Sequence, residues 1–370
     1  VKLFIVVNVD WFFLSHRLPI ALAAKEAGYS VTILTRDTGR RQDVLDHGLS
    51  FIDIPFSRSG VGVLQESKVL WSLFKLYKEH NPDIVHHVTL KVAIYGSIAA
   101  RWTGIKKSVN AISGLGYNFT DNRKGLVQNI LEVLMKFAFR RGSNYFIFQN
   151  EDDLKKFRNR NLVDNLRVFL IKGSGVDLSE YRVAPFPDCP PVRILFAARL
   201  LRDKGILEFV QAAKILKSKI EDKAVFLIAG DLDLENPASI SQDLLESFKD
   251  PGYIEVIGFQ KDMQKCLSEI HISVLPSYRE GLPKSLIEAA AIGRPIVTTN
   301  APGCSECVQD GFNGFLVPVR NSDLLGEKIL AIIEDPDLMK KMGRNSRIIA
   351  EKEFNILSVI EKTLDIYSLN

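Results

Sequence analysis

Short runs of β-branched and aromatic residues alternate with stretches of helical period along the whole chain, and no other feature constrains its fold as strongly. The strand-like segment 2–9 is followed by an alanine-rich helix ending at Gly28. Next come strand 31–35, a charged helix with Arg40 and Arg41, strand 51–55, helix 64–79 and strand 83–88. Strands 108–112 and 145–148 and helix 151–158 continue the pattern. A second series follows, with strands 193–198, 224–229, 253–257, 272–275 and 295–299 and the segment 311–317. Helical patterns at 324–333, 339–351 and 357–367 close the chain. Strands spaced by helices build parallel sheets covered on both faces, the doubly wound α/β class.

A chain of 370 residues has room for two such domains, and Gly173, Gly175, Pro185, Pro187, Pro190 and Pro191 mark a linker between them. The expected division is a first domain over 1–178 and a second over 179–354. Composition is that of an ordinary globular protein, 46% apolar and 25% charged. No run of 18 or more apolar residues occurs, and Val1-Lys2-Leu3-Phe4-Ile5 reads as a first strand rather than a signal peptide, so a cytoplasmic protein is expected. Four cysteines without an export signal give no disulfide framework. Cys304 and Cys307 spell C-x-x-C, but a zinc or redox reading lacks a second pair or a nearby His.

Residues 1 to 180 hold 25 Lys and Arg against 17 Asp and Glu; the remainder holds 23 against 27. A basic first half suits an acidic partner, either lipid head groups or a diphosphate. Nucleic acid is not expected, because no recognised binding motif accompanies the charge.

The stretch 280–288, Glu-Gly-Leu-Pro-Lys-Ser-Leu-Ile-Glu, joins the buried strand 272–276 to a helix stopped by Gly293. Such a turn sets a helix N-terminus, with its free N–H groups and positive dipole end, at the carboxyl edge of a parallel sheet, where anions bind. Pro283 suits the first helical position, Gly281 lets the backbone approach a ligand, and roughly two turns of helix separate Glu280 from Glu288. Two acids flanking a phosphate-binding helix end suit a nucleotide-sugar. Strand 193–198 delivers Arg199 and then Lys204 to the same edge, supplying the cations that a diphosphate leaving group needs.

This stretch resembles the E-x7-E element of the large retaining glycosyltransferase family 4, of GT-B fold. Residues 199–205, Gly258-Phe259, Ser277 and 311–317 match further signatures of that family in order. The resemblance implies two Rossmann-like domains facing a cleft, with the final helix, 355–370, returning to the first. It puts Glu280 on the donor-sugar hydroxyls, Glu288 on the ribose, and Arg199 and Lys204 on the diphosphate. Amides at Gly281 and Leu282 lie near the transferred sugar, Gly258 and Phe259 border the nucleobase, and Ser277, Pro283 and Lys284 complete the donor site. No cofactor and no metal is implied. Asp231-Leu232-Asp233 spells D-x-D, which holds a cation in transferases of another fold; here it matches the glycine-plus-polar loop of the metal-free family.

In the first half, Trp11-Phe12-Phe13 follows the first strand as a loop, and two readings stand open, buried packing or an apolar lip for a lipid-linked acceptor. His16-Arg17 is a candidate for an acceptor phosphate or an ordinary helix-surface pair. Lys91 is a candidate for phosphate or sugar. His86 or His87 stands near the donor-contacting His of the family, but Val88 breaks the usual H-x-H spacing. The loop from Gly114 through Gly116 and Tyr117 resembles the G-L-G-Y loop of a subgroup that extends undecaprenyl-diphosphate-linked sugars in O-antigen, capsule and N-glycan assembly, and is expected to frame the acceptor. Residues 123–145 form a basic amphipathic stretch, open to core packing or to membrane contact. The expected reaction is retaining transfer of an N-acetylhexosamine, such as N-acetylgalactosamine, from its UDP donor to a polyprenyl-diphosphate-linked saccharide. It would take place peripherally on the inner leaflet of the cytoplasmic membrane. A transferase with a soluble acceptor, a nucleotide-sugar epimerase and a non-catalytic binder are the alternatives.

Overall fold

A computed structural model of the chain describes residues 1–56, 63–114, 126–140, 143–163 and 165–369. The chain divides into two compact units, one of Val1–Ser174 with Leu357–Asn370 and the other of Gly175–Ile356.

The first unit runs β1 (Lys2–Val6), α1 (Asp10–His16), α2 (Leu18–Glu26), β2 (Ser30–Thr35), α3 (Arg41–Asp46), β3 (Ser50–Asp53), α4 (Val63–His80), β4 (Ile84–Val88), α5 (Leu90–Thr103), β5 (Lys107–Ile112), α6 (Leu126–Phe139), β6 (Asn144–Phe148), α7 (Glu151–Asn159) and β7 (Val168–Leu170). Its seven strands are all parallel in the order β3-β2-β1-β4-β5-β6-β7. β1, β4 and β6 are almost wholly buried, as strands covered on both faces must be. One apolar cluster joins Phe4, Val6 and Val85 to Val69, Leu73 and Tyr77 of α4; another joins Ile112 and Phe148 to Met135, Ala138 and Phe157.

The second unit runs β8 (Val192–Ala197), α8 (Ile206–Ile220), β9 (Ala224–Ala229), α9 (Gln242–Glu246), β10 (Ile254–Gly258), α10 (Met263–Ser268), β11 (Ile272–Leu275), α11 (Lys284–Ile292), β12 (Ile296–Thr299), β13 (Gly314–Val317), α12 (Ser322–Glu334) and α13 (Pro336–Glu353). Its six strands are parallel in the order β10-β9-β8-β11-β12-β13. The last helix, α14 (Ile356–Ser368), belongs to the first unit from Leu357 onward.

Two local expectations change. The segment after β1 is helix α1 rather than a loop, because Asp10 at its first turn accepts from the Trp11 amide while its carboxylate also takes the Thr38 and Arg40 amides. Pro283 is the N-cap of α11 and not its first helical residue, with φ −71° and ψ 119°, so one turn of helix rather than two separates Glu280 from Glu288.

Candidate functional site

In an open parallel sheet, ligands bind outside the carboxyl ends of the strands where the strand order reverses. In the second unit that point lies between β8 and β11. The chain leaving β8 carries Arg199 and Lys204; the chain leaving β11 carries Ser277, Glu280 and the start of α11. Topology alone therefore gathers Arg199, Lys204, Ser277 and Glu280, while Gly258 and Phe259 leave β10 two strands away.

The two segments are laced together. The Ser277 hydroxyl donates to the Asp203 carbonyl at 3.0 Å, and the Tyr278 amide donates to the same oxygen at 2.9 Å. Gly205, at φ +78°, sits where an added Cβ would lie 2.1 Å from the Pro276 carbonyl oxygen, so only glycine allows this approach. Gly303 plays the same part beneath the central turn: its φ is +80° and a Cβ would lie 2.5 Å from the carbonyl oxygens of both Glu280 and Gly281. The Glu280 amide in turn donates to the Pro302 carbonyl at 2.9 Å. Backbone contacts thus fix Glu280, and its carboxylate meets Lys204 Nζ at 2.5 Å with both side chains largely shielded from water.

Arg199 pairs with Asp233 at 2.6 Å; the aspartate side chain is buried and the arginine side chain is 42% exposed. The second acid of the D-x-D is therefore an ion-pair partner. Cys304 and Cys307 are buried free thiols beside the central turn, and burial pushes the Cys304 thiol up to about 12.

Helix α11 begins at Lys284, and its proline N-cap makes no side-chain cap hydrogen bond. A lysine in the first turn opposes the helix dipole. Glu288, one turn on, offsets it at 3.3 Å. Glu288 is buried, accepts from the Tyr181 hydroxyl at 3.0 Å, and has its pKa raised by burial against the opposing pull of Lys284 and Tyr181. Gly281, Leu282 and Pro283 are buried, while Phe259, next to Gly258, has 63% of its surface exposed. This edge offers the cations Arg199 and Lys204, the carboxylates Glu280 and Glu288 and a helix N-terminus, an arrangement suited to binding a diphosphate with hydroxylated groups on both sides.

The corresponding reversal in the first unit lies between β1 and β4. His16 stacks on Phe12 at 4.1 Å, with Nδ1 2.6 Å from the Ser15 hydroxyl. Arg17 is 4% exposed, so it is not a surface partner of His16; its Nη1 donates to the His16 carbonyl, and burial draws its pKa down to about 10. Of the aromatic trio Phe13 is core, whereas Trp11 and Phe12 are half-buried. His86 and His87 are both buried. His86 Nδ1 lies 2.5 Å from the Tyr367 hydroxyl, and His87 bridges Tyr77 at 2.9 Å and Asn110 at 2.8 Å. Lys91, in the first turn of α5, pairs with Glu66 at 2.5 Å. Gly114 leaves β5 at φ +112°. Gly116, Tyr117, Arg123 and Lys124 lie outside the described residues.

The sequence signature described as "Glycosyl transferases group 1" matches residues 180–348, and that described as "Glycosyl transferase 4-like" matches residues 2–150. The N,N'-diacetylbacillosaminyl-diphospho-undecaprenol alpha-1,3-N-acetylgalactosaminyltransferase of Campylobacter jejuni is 31% identical over 361 residues, covering 90% of this chain and 92% of its own. The chain is a group 1 glycosyltransferase. The UDP-Gal:alpha-D-GlcNAc-diphosphoundecaprenol alpha-1,3-galactosyltransferase of Escherichia coli is 28% identical, covering 92% of this chain and 89% of its own. Among solved structures, Anabaena HepE in complex with UDP and glucose superimposes with a TM-score of 0.79 at 18% identity, over 100% of both chains. Sucrose-phosphate synthase from Thermosynechococcus elongatus gives 0.78 at 17% identity, over 99% of this chain and 98% of its own. The fold of this glycosyltransferase is GT-B, two parallel-sheet Rossmann-like domains.

Tyr181 and Thr89 of the glycosyltransferase were not singled out from sequence, and Asp233 stood there only as part of the D-x-D, not as the partner of Arg199. Tyr181 and Asp233 hold Glu288 and Arg199 from 107 and 34 residues away, separations that no local pattern reveals. Thr89, between β4 and α5, has φ 81° and ψ 154°, a backbone region that side chains strongly disfavour. Its place at the strand-order reversal is the signal that could have drawn attention to it.

Proposed function

We propose that this glycosyltransferase moves an N-acetylhexosamine, N-acetylgalactosamine first among the candidates, from its UDP donor to a polyprenyl-diphosphate-linked saccharide, with retention and without a metal. The observation that carries the reading is the Lys204–Glu280 pair at the helix start of α11, which joins a diphosphate-seeking cation to a sugar-seeking carboxylate at 2.5 Å. Two relatives that span nearly the whole chain act, by their names, on undecaprenyl-diphosphate-linked saccharides. In this scheme Glu280 orients donor hydroxyls, Glu288 the ribose, and Arg199 and Lys204 the diphosphate. Gly281, Leu282, Pro283, Lys284, Ser277, Gly258 and Phe259 shape the donor site. Charge developing on the departing UDP is met by the two cations and the helix dipole, which substitute for a metal ion. A double displacement on Glu288 is disfavoured, because in this scheme Glu288 lies at the ribose rather than at the anomeric carbon; front-face attack assisted by the leaving phosphate accounts for retention. His16, Arg17, Lys91 and the loop from Gly114 to Tyr117 are the acceptor candidates.

Among the described residues no helix is long and apolar enough to cross a membrane. We further propose that the enzyme meets its lipid-linked acceptor by peripheral contact with the cytoplasmic face of the inner membrane. Incubating the protein with UDP-GalNAc, UDP-GlcNAc or UDP-Gal and a polyprenyl-diphosphate-linked N-acetylhexosamine tests the reading. Release of UDP with extension of the lipid-linked sugar, undiminished by chelator, is expected. UDP release without acceptor, or extension of a free sugar alone, overturns it.

A further inference from the structure

We infer that the face formed by α4, α5 and α6 is a docking surface for an anionic phospholipid bilayer, an inference that rests on the lipid-linked acceptor proposed above. The three helices pack side by side with α5 in the middle. Trp71 of α4 is 55% exposed and Trp102 in the last turn of α5 is 52% exposed. Trp71 stacks on Phe74 at 5.1 Å, and Phe74 meets Trp102 edge-on at 6.3 Å, so rings from two helices form one patch. Beside Trp102, Arg101 lies 4.6 Å over the ring of Phe137, and Val133, one turn before Phe137 on α6, is 66% exposed. None of these residues takes part in the donor site. A connected, exposed aromatic surface of this kind marks an interaction site, whereas scattered single residues do not.

Charge selects the occupant. Lys68, Trp71, Lys75 and Lys78 recur at spacings of three and four along one exposed stripe of α4, with Phe74 among them and Glu79 as the acid at its edge. Lys75 Nζ sits 5.8 Å over the Trp71 ring. Among the described residues neither indole N–H meets an acceptor. Tryptophan places its ring at head-group depth with the N–H toward water, and lysine and arginine stems lie along apolar surface while their cations reach lipid phosphates. Aromatic rings ringed by cations therefore fit an anionic interface, to which each basic group near the surface adds attraction. The stripe is distinct from the aromatic segment 11–13, where Phe13 is core.

Co-sedimentation of the full chain with vesicles of phosphatidylcholine containing phosphatidylglycerol, and with phosphatidylcholine alone, tests the inference, read together with quenching of tryptophan fluorescence by brominated lipid. Binding to the anionic vesicles with strong quenching is expected. The double variant Trp71→Ser/Trp102→Ser should lower the bound fraction about tenfold, and Lys75→Glu/Lys78→Glu should lower it comparably while keeping its fold by circular dichroism. Transfer to a short-chain, water-soluble acceptor should stay within about twofold in the tryptophan variant, because a docking surface serves only membrane-borne substrate. Vesicle binding by both variants equal to that of the wild type, or no binding by the wild type, overturns the inference and leaves the proposed reaction standing. Loss of a wild-type dimer in the tryptophan variant would assign the face to a second copy and also overturn it. Vesicle binding by a protein that extends no lipid-linked acceptor would instead defeat the proposed reaction and keep the surface.

Discussion

At the donor edge the two proposed diphosphate cations already hold carboxylates, Lys204 with Glu280 and Arg199 with Asp233. A diphosphate must share or replace those partners, so the two members of a pair are expected to respond differently to substitution. Lys204→Ala removes a charge the diphosphate needs in both ground and transition states, and should weaken UDP affinity and turnover together. Glu280→Gln keeps the shape and leaves Lys204 to the diphosphate; UDP affinity should change by less than about threefold while kcat falls about a hundredfold. Isothermal titration with UDP and steady-state rates check both, and wild-type turnover in the Gln variant would remove Glu280 from the mechanism. Glu288 yields a second prediction. Burial raises its pKa in the folded state above the usual 4.5, so the native protein binds more protons than the unfolded chain and stability falls as pH rises through that window. Glu288→Gln, which can still accept from Tyr181, should raise Tm at pH 8, and the gain should shrink as pH approaches 5. The sequence shows that 280 and 288 are both acids; that Glu280 meets a cation from another segment while Glu288 is buried beneath a tyrosine hydroxyl depends on Lys204 and Tyr181, which only the fold brings near.

At the scale of elements, most strands and helices are legible because a buried parallel strand is a continuous apolar run and a covering helix an amphipathic one. β9 and β11 fall at their expected bounds, 224–229 and 272–275. What escapes is β7, three half-buried residues at the sheet edge, α9, five residues starting at a serine cap, and α5, buried over so much of its circumference that little amphipathic period remains. Helix α1 escapes because aromatic residues disguise its period. The linker conceals another device. Arg294, directly after the Gly293 cap of α11, has no exposed surface and donates to the carbonyls of Ala184, Pro185, Leu267 and Ser268, with its guanidinium 4.6 Å from the Phe186 ring centre. It staples the proline-rich entry of the second unit to the ends of α10 and α11. Arg294→Met would leave buried carbonyls without donors and should destabilise the second unit by about 3 kcal/mol or more, measured by urea unfolding. A change below about 1 kcal/mol would mean that water satisfies those carbonyls instead.

For the molecule as a whole, the two units should answer acid differently. The first unit buries two imidazoles next to each other on β4. His87, enclosed by Tyr77, Asn110 and Ser108, is held down from the usual 6.5 to about 4 by burial. His86, facing Tyr367 of α14, is driven well below its ordinary value by burial and then by the nearby charge of Arg17. A histidine whose folded pKa is depressed stays neutral in the native state while the unfolded chain takes up its proton, so stability is lost as pH falls through 6.5 and onward to about 4. For His87 alone the loss is on the order of 3 kcal/mol across that window. In the second unit His271 is shifted the same way, but the raised pKa of Glu288 works against it, since protonating that buried carboxyl relieves its desolvation. Calorimetry from pH 7 to pH 4.5 should therefore show the transition of the first unit falling ahead of that of the second. His87→Gln, able to bridge the same Tyr77 and Asn110 groups without a titrating nitrogen, should flatten the decline of the first. Because α14 supplies Tyr367 to His86 and the carbonyls of Ile366 and Tyr367 to Lys107, the chain's last helix is part of what acid loosens. Protease cleavage within residues 357–369 should appear in the same pH range, and a C-terminal helix still protected after the first transition would contradict its integration into that unit.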